Sequence, residues 1–231
     1  MIKYFEHVKN LLYPKICEGC GRVGRYLCET CRINQVEYMW GNVCHVCKQE
    51  VITGLTHLDC KEYSYLDGAV SIAKYIGVIE SLIKEAKYQF AKDILEELVD
   101  LLAKKVLEHR ALFEGGSITY VPATHYRQNW RGFNQSQVLA ELLAAKLELS
   151  CLPILKRAGN TIAQAKLNRV DRLRNLQNVF KLNSKLNVYP LPSKVIIVDD
   201  VITKGATLEQ CAKVFRQNGV NKIYGLTIAT G

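Results

Sequence analysis

The chain has 231 residues, 48% of them hydrophobic, and a formal net charge of +9. That supports one ordinary core with a small appendage, and no apolar run approaches the length of about eighteen residues that a membrane span needs. The opening MIKYFEHVKNLLYP is broken by charges and lacks the apolar stretch and small-residue cleavage site of a signal peptide, so a cytoplasmic protein is expected. Residues 1–14 read as a short helix that stops before Pro14. Residues 15–62 are cysteine-rich, dotted with glycine and poor in periodicity, as where metal rather than a core holds the chain. Composition changes near 63–67, predicting a unit of residues 1–64 followed by one of 65–231. In the second unit, residues 69–76 alternate like a strand, and 78–88 and 91–109 carry apolar residues at helical spacing, among them Leu95, Leu98, Val99, Leu102 and Val106. Residues 117–122 form a strand ending at Pro122, and Asn134 caps a helix over 135–148. A short strand over 152–155 leads into a polar loop through Asn178, then a strand over 179–182. Strand 194–199, helix 206–218 stopped by Gly219, and strand 222–229 complete the chain. Strands alternating with helices predict an α/β fold, a mainly parallel sheet flanked by helices. Such sheets bind ligands beyond the carboxyl ends of their strands.

Seven of the nine cysteines fall between residues 17 and 60, and only Cys151 and Cys211 lie beyond. In a reducing compartment this crowding favours metal ligands over disulfides. Cys17 and Cys20, Cys28 and Cys31, and Cys44 and Cys47 form three C-x-x-C knuckles, and His57-x-x-Cys60 makes a fourth. Eight such ligands hold two structural Zn²⁺ ions. Serial pairing assigns Cys17, Cys20, Cys28 and Cys31 to one ion and Cys44, Cys47, His57 and Cys60 to the other. Interleaved pairing has the same spacing, and a decayed site would leave one ion and several buried thiols. His7, His45, His109 and His125 have no ligand spacing and read as surface or core residues. Cys151 and Cys211 read as small buried hydrophobes.

The charge is uneven. Between residues 120 and 185 eleven bases face three acids, so this segment alone supplies +8. An excess on that scale favours phosphates or nucleic acid, the bland alternative being a solvated basic face.

The stretch VIIVDDVITKGATL, residues 195–208, sets two adjacent carboxylates at the end of an apolar strand and before a helix. Like charges side by side are costly to bury, so they are exposed or serve a ligand that uses both. The loop after them leads into a helix start, where backbone N–H groups and the helix dipole attract an anion. Gly205 permits close approach, and Thr203 and Thr207 offer hydroxyls. A phosphate cradle one step beyond two hydroxyl-accepting carboxylates suits a ribose 5-phosphate. The stretch resembles the phosphoribosyl-diphosphate signature of type I phosphoribosyltransferases, with Lys204 where a second threonine is usual. The resemblance implies ribose binding by Asp199 and Asp200, 5-phosphate binding by Thr203, Lys204, Gly205, Ala206 and Thr207, and Mg²⁺ accompanying the diphosphate.

After the strand at 117–122, YVPATHYR brings the amides of Ala123 and Thr124 to where a diphosphate would lie, and Arg131-Gly-Phe-Asn-Gln follows. With Lys87-Tyr88, Arg157, Thr161, Gln164 and Arg172-Leu-Arg-Asn175, these matches narrow the likeness. The chain resembles, over nearly its whole length, the competence protein F family (ComF/ComFC). Its members join an N-terminal zinc-binding, zinc-ribbon-like module to a type I phosphoribosyltransferase-like domain, commonly with cysteine where this chain has His57. The polar loop 157–178 carries Arg157, Lys166, Arg169, Arg172 and Arg174, and with Arg127 and Arg131 these bases are fit to clamp phosphates or a nucleic-acid backbone. Arg174-Asn175 reads equally as a hinge or cap. Tyr126, Trp130 and Phe133 among the bases are placed to stack on single-stranded bases, or to pack.

The family resemblance implies a competence factor handling incoming single-stranded DNA in the cytoplasm or peripherally at the inner membrane, beside a DNA helicase or inner-membrane channel, with a phosphoribosyl-diphosphate site. The alternative is an active phosphoribosyltransferase acting on an unidentified acceptor. No nucleobase pocket and no general base is recognisable in the sequence. A role in nucleotide salvage fits the fold and nothing else.

Overall fold

The computed structural model describes residues 14–39, 42–51, 54–88, 91–157, 179–186 and 190–231. The helix expected over 1–14 falls outside these residues except for Pro14. The cysteine-rich stretch contains a short helix α1 (Glu29–Asn34), an antiparallel ribbon of β1 (Asn42–Val43) and β2 (Glu50–Val51), and a 3-10 helix over Leu58–Tyr63. The chain then alternates. β3 (Gly68–Lys74) is followed by α2 (Gly77–Glu85), α3 (Ala91–Glu108) and α4 (Arg110–Phe113), and β4 (Ser117–Tyr120) by α5 (His125–Arg131) and α6 (Gln135–Leu147). Next come β5 (Leu155–Arg157), β6 (Phe180–Leu182), β7 (Lys194–Ile202), α7 (Ala206–Gln217) and β8 (Lys222–Thr230). Among the described residues no helix is long and apolar enough to cross a membrane.

Strands β3, β8, β7 and β4 lie side by side in that order and all run parallel, which is the expected α/β architecture. The sequence of β7 explains its central place. Successive side chains point to opposite faces. Ile196 and Val198 pack with Leu82 of α2, Leu95 and Leu98 of α3, and Leu139 and Leu143 of α6. Val195 and Ile197 pack on the other face with Leu208, Cys211 and Phe215 of α7. With helices on both faces, a strand has to be apolar throughout. The first cluster also takes in Cys17, Tyr26, Leu27, Cys31 and Val36 from the cysteine-rich stretch. Glu97 of α3 ties that stretch down, accepting the backbone N–H of Leu27 at 2.9 Å and of Tyr26 at 3.2 Å.

Three expectations are corrected. The strand expected over 152–155 does not join the sheet: β5 begins at Leu155 and pairs antiparallel with β6 in a separate hairpin. Pro153 has no N–H for a ladder, so backbone pairing with β4 stops at the bridge of Ile118 to Cys151, where Ile118 N donates to Ser150 O and Leu152 N donates to Ile118 O. Asn134 occupies the N-cap position of α6 without a side-chain cap; its Nδ2 donates instead to Val121 O at 3.0 Å, stitching the helix start to the end of β4. Strand β7 runs on through Ile202, because β8 continues beside it with Val201 opposite Ala229 and Ile202 opposite Thr230. Meanwhile β4 has ended at Tyr120, opposite Val198. Beyond that step the β4 side of β7 opens, and there the two aspartates sit.

Candidate functional site

A cavity of about 530 Å³ occupies this step. Asp199, Asp200 and Val201 form one wall, Thr203 and Thr207 continue it, and Val121, Pro122, Ala123 and Thr124 face them from the exit of β4. Asp199 is held in place. Its Oδ1 accepts Ser136 Oγ–H at 2.7 Å and the Asp200 N–H at 2.9 Å. Asp200 Oδ1 accepts the Val201 N–H at 2.8 Å. Burial, and then the neighbouring Asp200 charge, push the Asp199 carboxyl up to about 7 despite the bonds from Ser136 and Asp200 N. An acid held this high is relieved by hydroxyl donors or by a cation, so the pair is chemically suited to a diol or to a magnesium-bearing anion.

Cations surround the acids. Lys87, Arg131 and Arg157 line the same cavity. Arg157, on β5, lies with its guanidinium 5.2 Å from the Phe180 ring centroid on β6 and its Nη1 3.5 Å from Pro122 O. The small antiparallel hairpin therefore delivers an arginine to the mouth of the parallel sheet. Gly205 sits in the left-handed region at φ 73° and forms the N-cap of α7, and Glu209 N donates to its carbonyl at 2.9 Å. That turn aims the start of a twelve-residue helix at the end of β7.

The sequence-derived site residues thus fall into groups. Asp199, Asp200, Thr203, Thr207, Ala123, Thr124, Arg131 and Arg157 come together in one cavity. Lys204, Gly205 and Ala206 form the turn between the two threonines, with Lys204 exposed. Arg127 lies on α5. Lys166, Arg169, Arg172 and Arg174 fall outside the described residues, as do Thr161 and Gln164. Sequence reasoning missed Ser136 and Tyr75, which also line the cavity. The nearest signal was the position of Ser136 two residues beyond the cap of α6, which identifies a helix start but not the carboxylate it would meet.

The eight predicted metal ligands gather as two groups, Cys17, Cys20, Cys28 and Cys31, and Cys44, Cys47, His57 and Cys60, each with its donor atoms within 4.8 Å of one another. The serial pairing is the one that forms. The donors fit zinc. Cys20 Sγ and Cys28 Sγ are 3.6 Å apart, close to the ~3.8 Å edge of a tetrahedron with Zn–S bonds of about 2.3 Å. His57 Nδ1 lies 3.1 Å from Cys47 Sγ, and its other nitrogen lies 3.1 Å from Glu50 O, the outer contact that orients a ligating imidazole. In the first group burial opposes ionisation of Cys17, but N–H groups of Cys28, Gly19 and Cys20 hold its thiol at about 6, whereas burial and neighbouring thiols push Cys31 to about 12. Four sulfurs so placed make a closed site for a thiophilic cation.

The second group abuts the cavity loop. Lys48 Nζ donates to Thr203 O at 3.3 Å. His45, buried, places Nε2 2.8 Å from Glu209 Oε1 on α7, and that carboxylate also accepts Ser64 Oγ–H and the Tyr65 N–H. Burial would raise Glu209, but these bonds outweigh it and hold its carboxyl below the usual range. His45, which has no ligand spacing, is a link between metal turn and helix.

Fold and site together define a parallel α/β protein with a basic, acid-walled cavity at the strand ends and a cysteine-rich module built to hold two metal ions. No family model matches the chain. It is similar to competence protein F of Haemophilus influenzae, 35% identical over 161 residues, covering 68% of this chain and 70% of that protein. It is similar to DNA utilization protein YhgH of Escherichia coli, 30% identical over 214 residues, 84% of this chain and 92% of that protein. Competence protein ComFC of Streptococcus pneumoniae is 28% identical over 138 residues, 60% and 58% of the two chains. The chain belongs to the competence protein F (ComF/ComFC) family.

Proposed function

We propose that this protein is a DNA-uptake factor of natural transformation, with a phosphoribosyl-diphosphate site in the cavity at the ends of β4 and β7. The proposal takes the chain as two units, a zinc-binding residues 1–64 and a phosphoribosyltransferase-like residues 65–231. The names of its relatives, competence protein F and DNA utilization protein, support the biological role. The observation that carries the ligand is the meeting of Asp199, Asp200, Thr203 and Thr207 with Arg131 and Arg157 in one cavity. Asp199 and Asp200 accept the ribose hydroxyls. The turn 203–207 receives the 5-phosphate on backbone N–H groups, with the two threonine hydroxyls beside it. Ala123, Thr124, Arg131 and Lys87 face the diphosphate. Mg²⁺, bound mainly through the ligand's own phosphates, would offset the charge left over.

The basic segment with Arg127, Arg131, Arg157, Arg169, Arg172 and Arg174 holds single-stranded DNA on the cytoplasmic side of the inner membrane, alongside a helicase or a membrane channel. The test is a thermal shift with phosphoribosyl diphosphate and Mg²⁺, paired with labelled single-stranded DNA titrated across salt. Stabilisation by the ligand should vanish in the Asp199→Ala, Asp200→Ala double variant, while salt-steep DNA binding survives. A ligand that leaves the parent's melting unchanged sinks the site, and absent or salt-insensitive DNA binding sinks the DNA role. A second reading, transfer of phosphoribose to an acceptor, draws on Asp199, whose carboxyl titrates where a general base works. Release of pyrophosphate in the presence of a candidate acceptor would establish it.

A further inference from the structure

A second cavity, of about 720 Å³, lies against the first and shares Lys87, Arg131 and Phe133 with it. Its character is different. The floor is apolar, made by Leu95 of α3 with Val138, Leu142 and Ala145 of α6. The rim is aromatic: Tyr88 and Trp130 meet edge to face with ring centroids 6.1 Å apart. Tyr88 is 55% exposed and Trp130 61% exposed. Two large aromatic side chains at the lip of an apolar cavity hold surface in water that a flat ligand would cover. Lys87, Lys92 and Arg131 line the same cavity against one acid, Glu141, and leave it net positive. Flat apolar faces beside cations match one chemistry closely, a base carried on a phosphate backbone. The volume lies in the range of ordinary small-ligand sites and admits a nucleotide. A base inside a duplex is stacked on its neighbours and cannot enter.

We propose that this cavity receives an unpaired base of single-stranded DNA, stacked on Trp130 with Tyr88 edge-on beside it, and with the adjoining phosphates toward Lys87 and Arg131. The inference rests on the reading of the protein as a single-strand handler and adds the site where the strand is gripped. It also supplies the nucleobase pocket that the sequence alone did not disclose. Tyr126, although 79% exposed, lines neither cavity, so the stacking role falls on Trp130 with Tyr88.

The chain has two tryptophans, so Trp40→Phe leaves Trp130 as the sole emitter. That full-length variant is titrated with unlabelled oligodeoxythymidylate of about fifteen nucleotides while tryptophan emission is read, and labelled oligonucleotide is followed in parallel by anisotropy. Emission should be quenched with the same saturation point as the anisotropy, and a duplex of equal length should leave emission unchanged. Trp130→Leu should weaken single-strand binding roughly tenfold without changing its salt slope, and Trp130→Phe, which keeps an aromatic face, should recover most of the loss. Binding by anisotropy with unaltered emission and an unaffected Trp130→Leu variant overturns the stacking site and leaves single-strand handling intact. No single-strand binding by either readout overturns both.

Discussion

Asp199 offers the sharpest test of how the cavity is built, because its carboxyl is strained by its surroundings rather than stabilised by them. Replacement by Asn keeps an Oδ1 to accept Ser136 Oγ–H and the Asp200 N–H, but removes the charge. The folded-state value of about 7 stands about three units above the ordinary 3.8, and at about 1.4 kcal/mol per unit the ceiling is about 4 kcal/mol. The cavity opens to water, which screens the charge, so about half of this, about 2 kcal/mol or roughly 4–8 °C in Tm, is the expected gain in the variant. The sign follows from proton binding. Below pH 3.8 the group is protonated in both states and the variant gains nothing. Between 3.8 and about 7 only the unfolded chain loses the proton, so the parent loses stability relative to Asp199→Asn as pH rises. Above about 7 the difference is constant. Chemical denaturation of ligand-free parent and variant at pH 5, 6.5 and 8 should show the gap widening from about a third of its final size. The same variant should lose its thermal shift with phosphoribosyl diphosphate and Mg²⁺. A gap that stays flat with pH, or a variant less stable than the parent at pH 8, refutes the view that burial beside Asp200 strains this acid.

Metal analysis of the purified chain should find two zinc ions per molecule, falling to one in Cys47→Ser together with a lower Tm; an unaltered metal content would refute the assignment of Cys47 as a ligand. Glu209→Ala strips the acceptor from His45, Ser64 and the Tyr65 N–H and should cost about 1–3 kcal/mol by denaturant titration. Because Glu209 follows the cavity turn, the variant should also show a smaller ligand-induced thermal shift. Gly205→Ala meets no atom closer than 3.8 Å, so its cost is conformational, about 1–2 kcal/mol for a side chain held at φ 73°. Gly205→Asn should lose less, since asparagine tolerates that region.

The sheet and the two ends of the site were legible because local signals coincided with global ones. The unbroken apolar run Val195 to Val198 requires cover on both faces, and the glycine at 205 announces a left-handed turn before a helix. The metal ligands were legible as residues, since C-x-x-C spacing is local. Their partition into Cys17–Cys31 and Cys44–Cys60 was not, because interleaved and serial pairing share that spacing and only the path of the chain separates them. Asn134 shows how a correct position can hide another role: it stands at the helix cap, yet its amide goes to Val121 O, a residue brought near by packing of α6 on β4.

What the sequence by itself determined was the chemistry available: twin carboxylates before a glycine-bearing turn, seven cysteines and a histidine in four pairs, and a surplus of positive charge in the middle of the chain. What only the tertiary structure decided was which of these groups share a space. β4 ends four residues before β7 does in their common register, and that difference in length leaves the opening at Asp199 and Asp200. The separate β5–β6 hairpin then carries Arg157 into it, and Ser136 reaches Asp199 from a helix sixty-three residues away in the chain. Such contacts depend on long-range packing of buried faces, for which no pattern within a few residues carries information.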